Sequence, residues 1–288
     1  MPHVTRPDGA RIYYEVRGQG VPLLLFAPGG INSQISFWAT SPVNPFDFAD
    51  EFMVIGMDQR NTERSPAPLA APTWEDHVAD QLAVLDAVGV GRALLWGGCI
   101  GVAYVLRFIQ EAPDRVIAAV GQNPVGRYDG VNTRATFFKM FEPTLAASAS
   151  GGMQAVVAAA LADPLFVRNN AGGPFAARIA ADAGFREEML ALDPGEYARI
   201  IEAYDEQIWG AKGAFMSVEE SFVRECPAPL LILPGTDDFH PTAIAERICA
   251  EAPRATCLAA DWGAPENVQG TRRHVLSFLR EQRKALRA

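Results

Sequence analysis

What this 288-residue sequence lacks narrows its chemistry first. It has only four histidines and four cysteines. The cysteines, Cys99, Cys226, Cys249 and Cys257, show no metal-like spacing. No basic block stands out from a net charge of −9, set by 34 acidic and 25 basic residues. Nucleic acid is therefore not an expected partner, and an acidic surface calls for no more than solubility. No run reads as apolar for long enough to cross a bilayer. The start, Met1-Pro2-His3-Val4-Thr5-Arg6-Pro7-Asp8, has no apolar core of the signal-peptide kind. The expectation is a cytoplasmic chain with reduced cysteines and no membrane partner. No internal repeat is visible.

What is present is alternation. Hydrophobic residues make up 49% and charged residues 20%, as in ordinary globular domains. Short apolar runs at 11–17, 21–27, 52–57, 93–96, 116–120, 230–233 and 255–259 read as strands. Helical patterns at 74–88, 102–112, 242–250 and 266–283 lie between or after them. That order predicts an α/β fold with a mostly parallel central sheet and helices on both faces. From 127 to 222 the chain is Ala-rich and aromatic and loses its strand signals. The division expected is a core of 1–126 and 223–288, with 127–222 as a helical cap insertion.

The densest chemical signal is Gly97-Gly98-Cys99-Ile100-Gly101, between an apolar strand and a helical pattern. A G-x-C-x-G at such a turn has the form of a nucleophile elbow, with cysteine where serine is usual. Glycines leave room beside a strained turn. The helix N-terminus favours a thiolate.

Through this elbow and two further segments, the chain resembles the α/β-hydrolase fold superfamily, as an atypical member with a cysteine elbow. Leu23-Leu24-Leu25-Phe26-Ala27-Pro28-Gly29-Gly30 looks like the strand and loop that donate one oxyanion N–H. Asp58-Gln59-Arg60-Asn61-Thr62-Glu63-Arg64-Ser65 looks like the family's D-x-R-G-x-G-x-S loop. Asn61 and Glu63 replace glycines there; asparagine tolerates a left-handed backbone better than glutamate does. The resemblance implies oxyanion donors at the backbone of Ile100 and of Gly30 or Ile31.

The same resemblance places an acid after the 230–233 strand. Asp237 and Asp238 both stand there, and the spacing leaves the choice open. It also places a histidine in the loop after the last strand. That loop, Ala260-Asp261-Trp262-Gly263-Ala264-Pro265, has none. His3 lies in the tail, His77 reads as exposed on a helix, and His274 lies well inside the terminal helix. His240, within the acid loop, remains as the working imidazole.

The expected activity is hydrolysis of a small ester, thioester or lactone through a Cys99 acyl-enzyme. Acyl transfer, a lyase or cyclase step on the same fold, and a degenerate ligand-binding protein are the alternatives. A small apolar carbonyl compound is the expected partner, and a homodimer is left open. No metal or organic cofactor is implied.

Overall fold

The apolar runs assemble into one eight-stranded sheet in the computed structural model, which describes residues 2–127, 132, 134–210 and 213–286. The first strands are β1 (His3–Thr5), β2 (Arg11–Arg17), β3 (Val21–Phe26) and β4 (Phe52–Met57). Then come α1 (Trp74–Ala87), β5 (Ala93–Gly98), α2 (Gly101–Glu111) and β6 (Val116–Gln122). A helical segment follows: α3 (Arg134–Phe138), α4 (Glu142–Ala162), α5 (Ala176–Ala181), α6 (Ala183–Ala191), α7 (Pro194–Tyr204) and α8 (Glu220–Arg224). The chain closes with β7 (Leu230–Leu233), α9 (Thr242–Glu251), β8 (Ala255–Cys257) and α10 (Val268–Gln282).

The strand order is β1-β2-β4-β3-β5-β6-β7-β8. The β1–β2 and β2–β4 pairs are antiparallel and all other pairs parallel. This is the expected mostly parallel sheet. β1 lies at the edge, in what the sequence suggests is a tail. His3 is part of it, with Nε2 3.0 Å from the Arg64 carbonyl oxygen.

Alternate residues along the strands feed two cores, as a period of two requires. Leu24, Phe26 and Leu95 pack with α1, α2 and α9 on one face. Leu23, Leu25, Leu94 and Trp96 pack with Val275 and Leu279 of α10 on the other. Central strands buried on both faces read as continuous apolar runs, which is why they are visible in the sequence.

The segment between β6 and β7 holds no strand of the sheet among the described residues. Buried polar contacts tie it to the sheet layer. Asn32 Nδ2 donates to the Pro174 carbonyl at 2.6 Å, and Arg178 Nη1 to Asn61 Oδ1 at 2.8 Å. Within this segment, α4 is long and apolar enough, by length and composition, to cross a membrane. This corrects the reading that no run qualifies. The helix is broken at Gly152 (φ 64°, ψ −168°). At 1.5 Å per residue each half is about 15 Å long, roughly half of a hydrocarbon core.

A second correction concerns the cysteines. Cys249 of α9 and Cys257 of β8 form a disulfide, while Cys99 and Cys226 are free.

The 58–65 loop is ordered by a buried carboxylate. Asp58 accepts from the Ile35 N–H at 2.8 Å and from Arg64 Nε at 2.6 Å. Asn61 adopts the left-handed conformation (φ 64°), whereas Glu63 is not among the residues with positive φ. The loop thus keeps its left-handed position where asparagine stands and dispenses with it where glutamate stands.

The elbow depends on backbone contact. A Cβ on Gly101 would lie 2.1 Å from the Phe26 carbonyl oxygen, and one on Gly97 2.2 Å from the Gly101 carbonyl oxygen. Gly101→Ala should therefore destabilise the protein by about 1–3 kcal/mol through overpacking. Gly91→Ala, which meets nothing within 4 Å, should leave the melting temperature within about 2 °C. Thermal unfolding of the two variants checks the contrast.

Candidate active site

β5 and α2 meet at Cys99, and the turn between them is tight enough to force φ to 55°. A non-glycine residue pays conformational energy there. The turn is held by Cys99 N–H donating to the Gln122 carbonyl at 2.9 Å and Val102 N–H to the Cys99 carbonyl at 3.0 Å. Ile100 follows in right-handed geometry, and α2 starts at Gly101. The N–H groups of a helix's first turn have no acceptor within the helix, so they are available at the elbow. Facing it, Gly29 and Gly30 take φ of 120° and 65°. They lead into a single 3-10 turn, Gly30–Asn32, so the Ile31 backbone lies in this loop.

The acid loop folds into a turn organised by one carboxylate. Asp237 Oδ1 accepts from the Phe239 and His240 backbone N–H groups, both at 2.9 Å. The same carboxylate reaches His240 Nδ1 at 2.8 Å through either oxygen. Asp238 is exposed and makes no contact with His240 among the described residues. Of the two acids left open, Asp237 is the one bonded to the imidazole. α9 starts after Pro241 with no side-chain cap. Gly235 permits the turn, since a Cβ there would stand 2.3 Å from His240 Cβ.

His240 Nε2 is buried and makes no hydrogen bond of ordinary geometry. It nonetheless faces Cys99 closely enough for the sulfur to shift its titration. Burial pulls the imidazole pKa down, but the interactions with Cys99 and then Asp237 outweigh it, raising it from 6.5 to about 9. Looseness of this kind is common before a substrate is bound. Asp237 responds in the other direction. Desolvation pushes its pKa up, yet the bonds from His240 hold it below the ordinary value.

The remaining histidines are elsewhere. His77, expected to be exposed, is buried at 4% against Trp74 and Tyr104. Burial, with help from the nearby Arg60 charge, lowers its pKa to about 3, so it stays neutral. Its neighbour Asp80 is buried too, bound by Arg60 through Nε and Nη2 at 2.8 Å each. His274 is exposed on α10. In the 260–265 loop, Trp262 is buried and donates Nε1–H to the Pro234 carbonyl at 2.6 Å. It anchors the loop that carries Asp237 and His240.

Cys99, His240 and Gly30 line a cavity of about 350 Å³ with Phe137, Met140 and Trp209 of the helical segment. Phe137 and Trp209 stack at 4.7 Å between ring centroids. Two residues at the cavity are exposed apolar side chains, Val167 at 53% and Phe239 at 48%. The aromatic content of 127–222 signalled such a wall in general; the particular residues needed tertiary structure. Sequence reasoning missed Gln122 and Ser41 beside the elbow, whose side chains bond at 2.7 Å.

The arrangement has the elements of covalent acyl chemistry: a thiol at a strained elbow, an imidazole beside it and a carboxylate behind. Comparisons with known proteins agree with the fold. The profile of the alpha/beta hydrolase fold family matches residues 22–183. The chain belongs to that family and is an enzyme of the α/β-hydrolase type.

A relative from Azorhizobium caulinodans, named "Putative carbamate hydrolase RutD", is 29% identical over 267 residues, spanning 92% of this chain and 91% of its own. A proline iminopeptidase of Neisseria gonorrhoeae is 35% identical over 111 residues, covering 37% of this chain and 34% of its own. Among solved structures, the enol-lactonase from Burkholderia xenovorans LB400 superposes with a TM-score of 0.60 at 20% identity, over 96% of this chain and 99% of its own. Est816, described as an N-acyl homoserine lactone degrading enzyme, gives 0.59 at 22%, over 96% and 100%. At these identities the two structures speak to the fold.

Because the His240 pKa is raised, its charged form stabilises the folded state. That contribution is complete below about 6.5 and is lost as pH rises through about 9. The stability gap between wild type and His240→Gln should therefore narrow over that interval in urea titrations. By NMR, the imidazole should titrate near 9, and Asp237→Asn should move it down.

Proposed function

We propose that this protein hydrolyses a small ester, thioester or lactone through an acyl-enzyme on Cys99. The observation that carries the reading is the placement of His240, bonded through Nδ1 to Asp237 at 2.8 Å and coupled electrostatically to Cys99 on its other side. The Cys99 sulfur attacks the carbonyl carbon, and a C–S bond forms as the carbonyl π pair moves to oxygen. The N–H groups of Ile100 and of Gly30 or Ile31 face the oxyanion, the charge that must be met in the transition state. The imidazolium of His240 gives its proton to the departing oxygen, sulfur or nitrogen as the bond to it breaks.

Deacylation then needs a base. The Cys99 sulfur whose interaction supports the high His240 pKa is consumed in the thioester, so that support is withdrawn once the acyl group is in place. The imidazole is then closer to its ordinary range and takes a proton from water. The hydroxide adds to the thioester carbonyl, the C–S bond breaks, and the sulfur returns beside a protonated His240. This self-adjustment favours hydrolysis over a permanently blocked thioester. The name of the Azorhizobium relative, a hydrolase of a carbonyl flanked by heteroatoms, agrees with this chemistry.

Residues 127–222 act in this reading as a cap that selects the acyl group. Its contribution to the cavity is mainly apolar, with Phe137, Met140, Val167 and Trp209. The exposed Val167 and Phe239 offer an apolar approach to the site. A short apolar acyl group fits this lining better than a charged one.

Three measurements test the mechanism. Incubation with p-nitrophenyl butyrate, followed by intact mass after acid quench, should show one butyryl group on wild type and none on Cys99→Ala. His240→Ala should lower turnover by at least about 100-fold, the ordinary scale of acid–base catalysis. Iodoacetamide should alkylate Cys99 well before Cys226, which is buried and whose thiol is pushed up in pKa by that burial. Reaction at Cys226 first, with Cys99 inert, would sink the thiolate assignment. A stable butyryl adduct discharged only by an added alcohol or amine would transfer the reading to acyl transfer.

A further inference from the structure

Cys99 and His240 border two spaces. The first is the apolar chamber under the helical segment. The second, of about 180 Å³, touches the same two residues but none of the described residues of 127–222. Its walls include Gly98, Thr40, Ser41 and Asn123. Through Pro42 and Asn123 it adjoins a groove of about 530 Å³ that runs past Thr236, Asp237 and Asp261 to Trp262. The reacting pair therefore stands between an almost wholly apolar chamber and a passage of mixed lining, where Phe37, Trp38 and Pro42 stand beside Thr40, Ser41 and Asn123.

Asn123 is the residue common to both parts of the passage that carries a hydrogen-bonding side chain. Its backbone is fixed: it follows β6, donates its N–H to the Leu233 carbonyl at 2.8 Å, and takes a left-handed φ of 49°. Asparagine is among the few non-glycine residues that adopt this region readily. Its carboxamide has no hydrogen-bond partner among the described residues. A donor and an acceptor are thus presented, on rigid backbone, one residue beyond the Gln122 carbonyl that anchors Cys99.

We propose that the passage is the leaving-group side of the site. In this inference, which rests on the acyl-enzyme reading, the acyl part of the substrate lies in the apolar chamber. The alcohol or amine part extends past Asn123 into the groove, and the Asn123 carboxamide binds a hydroxyl or amino group on it. The bond that breaks is the one between the acyl carbon and the heteroatom of this part, which departs with the proton from His240. The ionisable residues along the groove are Asp237 and Asp261, so the group it accepts is neutral or cationic rather than anionic.

The test uses the full-length protein and butyryl esters that differ only in the alcohol: ethanol, ethylene glycol, 2-aminoethanol and glycolate. Wild type should prefer the glycol and aminoethyl esters over the ethyl ester in kcat/KM, and the glycolate ester should be the poorest. Asn123→Gly keeps the left-handed backbone and removes the carboxamide. It should shrink the glycol-to-ethyl ratio by about tenfold, the scale of one good hydrogen bond. Asn123→Asp should instead raise the aminoethyl-to-glycol ratio. Circular dichroism melts confirm that each variant is folded.

Acylation of wild type by p-nitrophenyl butyrate, with ester ratios that do not respond to either substitution, overturns the inference alone. Preference for the glycolate ester does the same. Failure of any ester to acylate Cys99 in wild type overturns the acyl-enzyme reading, and the leaving-group assignment falls with it.

Discussion

The site depends on a contact between two pieces of backbone. α2 approaches β3 so closely that Gly101 has no room for a side-chain atom beside the Phe26 carbonyl. With the helix pressed there, the chain leaving β5 must turn within a residue or two, and Cys99 is the residue that turns. Its left-handed conformation is unfavourable in isolation. The surrounding sheet over-determines it: β5 is hydrogen-bonded to both β3 and β6, and Cys99 itself is pinned to the Gln122 carbonyl. Packing energy from two hydrophobic layers is thereby converted into the position of one sulfur atom.

The second constraint is compactness of the acid loop. Asp237 and His240 are three residues apart, and one carboxylate both shapes the turn and binds the ring within it. Most of the electrostatic apparatus is therefore local, carried between β7 and α9. Trp262 adds a tertiary brace to the Pro234 carbonyl at the start of this loop. A hydrogen-bonding indole, rather than an imidazole, occupies the loop after β8, and it holds from behind the loop that faces the sulfur.

Much of this is legible in the sequence. Leu230–Leu233 and Phe52–Met57 are buried, uninterrupted apolar runs, and such runs declare themselves. The glycines around Cys99 exposed the elbow because a close backbone approach tolerates little else. The choice between Asp237 and Asp238 was not legible. It depends on which carboxylate closes back onto the N–H groups of its own turn, a matter of dihedral angles and not of composition. The burial of His77 was hidden for a different reason. Its neighbours on α1 include charged residues, but Asp80 is neutralised by Arg60, from a loop about twenty positions earlier. A helix face can be apolar in effect when its charges are already paired. Similarly, the proximity of α9 and β8 that joins Cys249 to Cys257 follows from the strand crossover, which cysteine spacing alone does not reveal.

That disulfide gives the molecule opposed redox requirements. In the role proposed for it, the Cys99 sulfur acts only while reduced, whereas the covalent link between α9 and β8 exists only while oxidised. The two centres lie on the same polypeptide and meet the same solvent. A strong thiol reductant protects one and opens the other; a strong oxidant does the reverse. The form that holds both the bridge and the free thiol is thus confined to a window of ambient potential, bounded below by loss of the bridge and above by oxidation of Cys99.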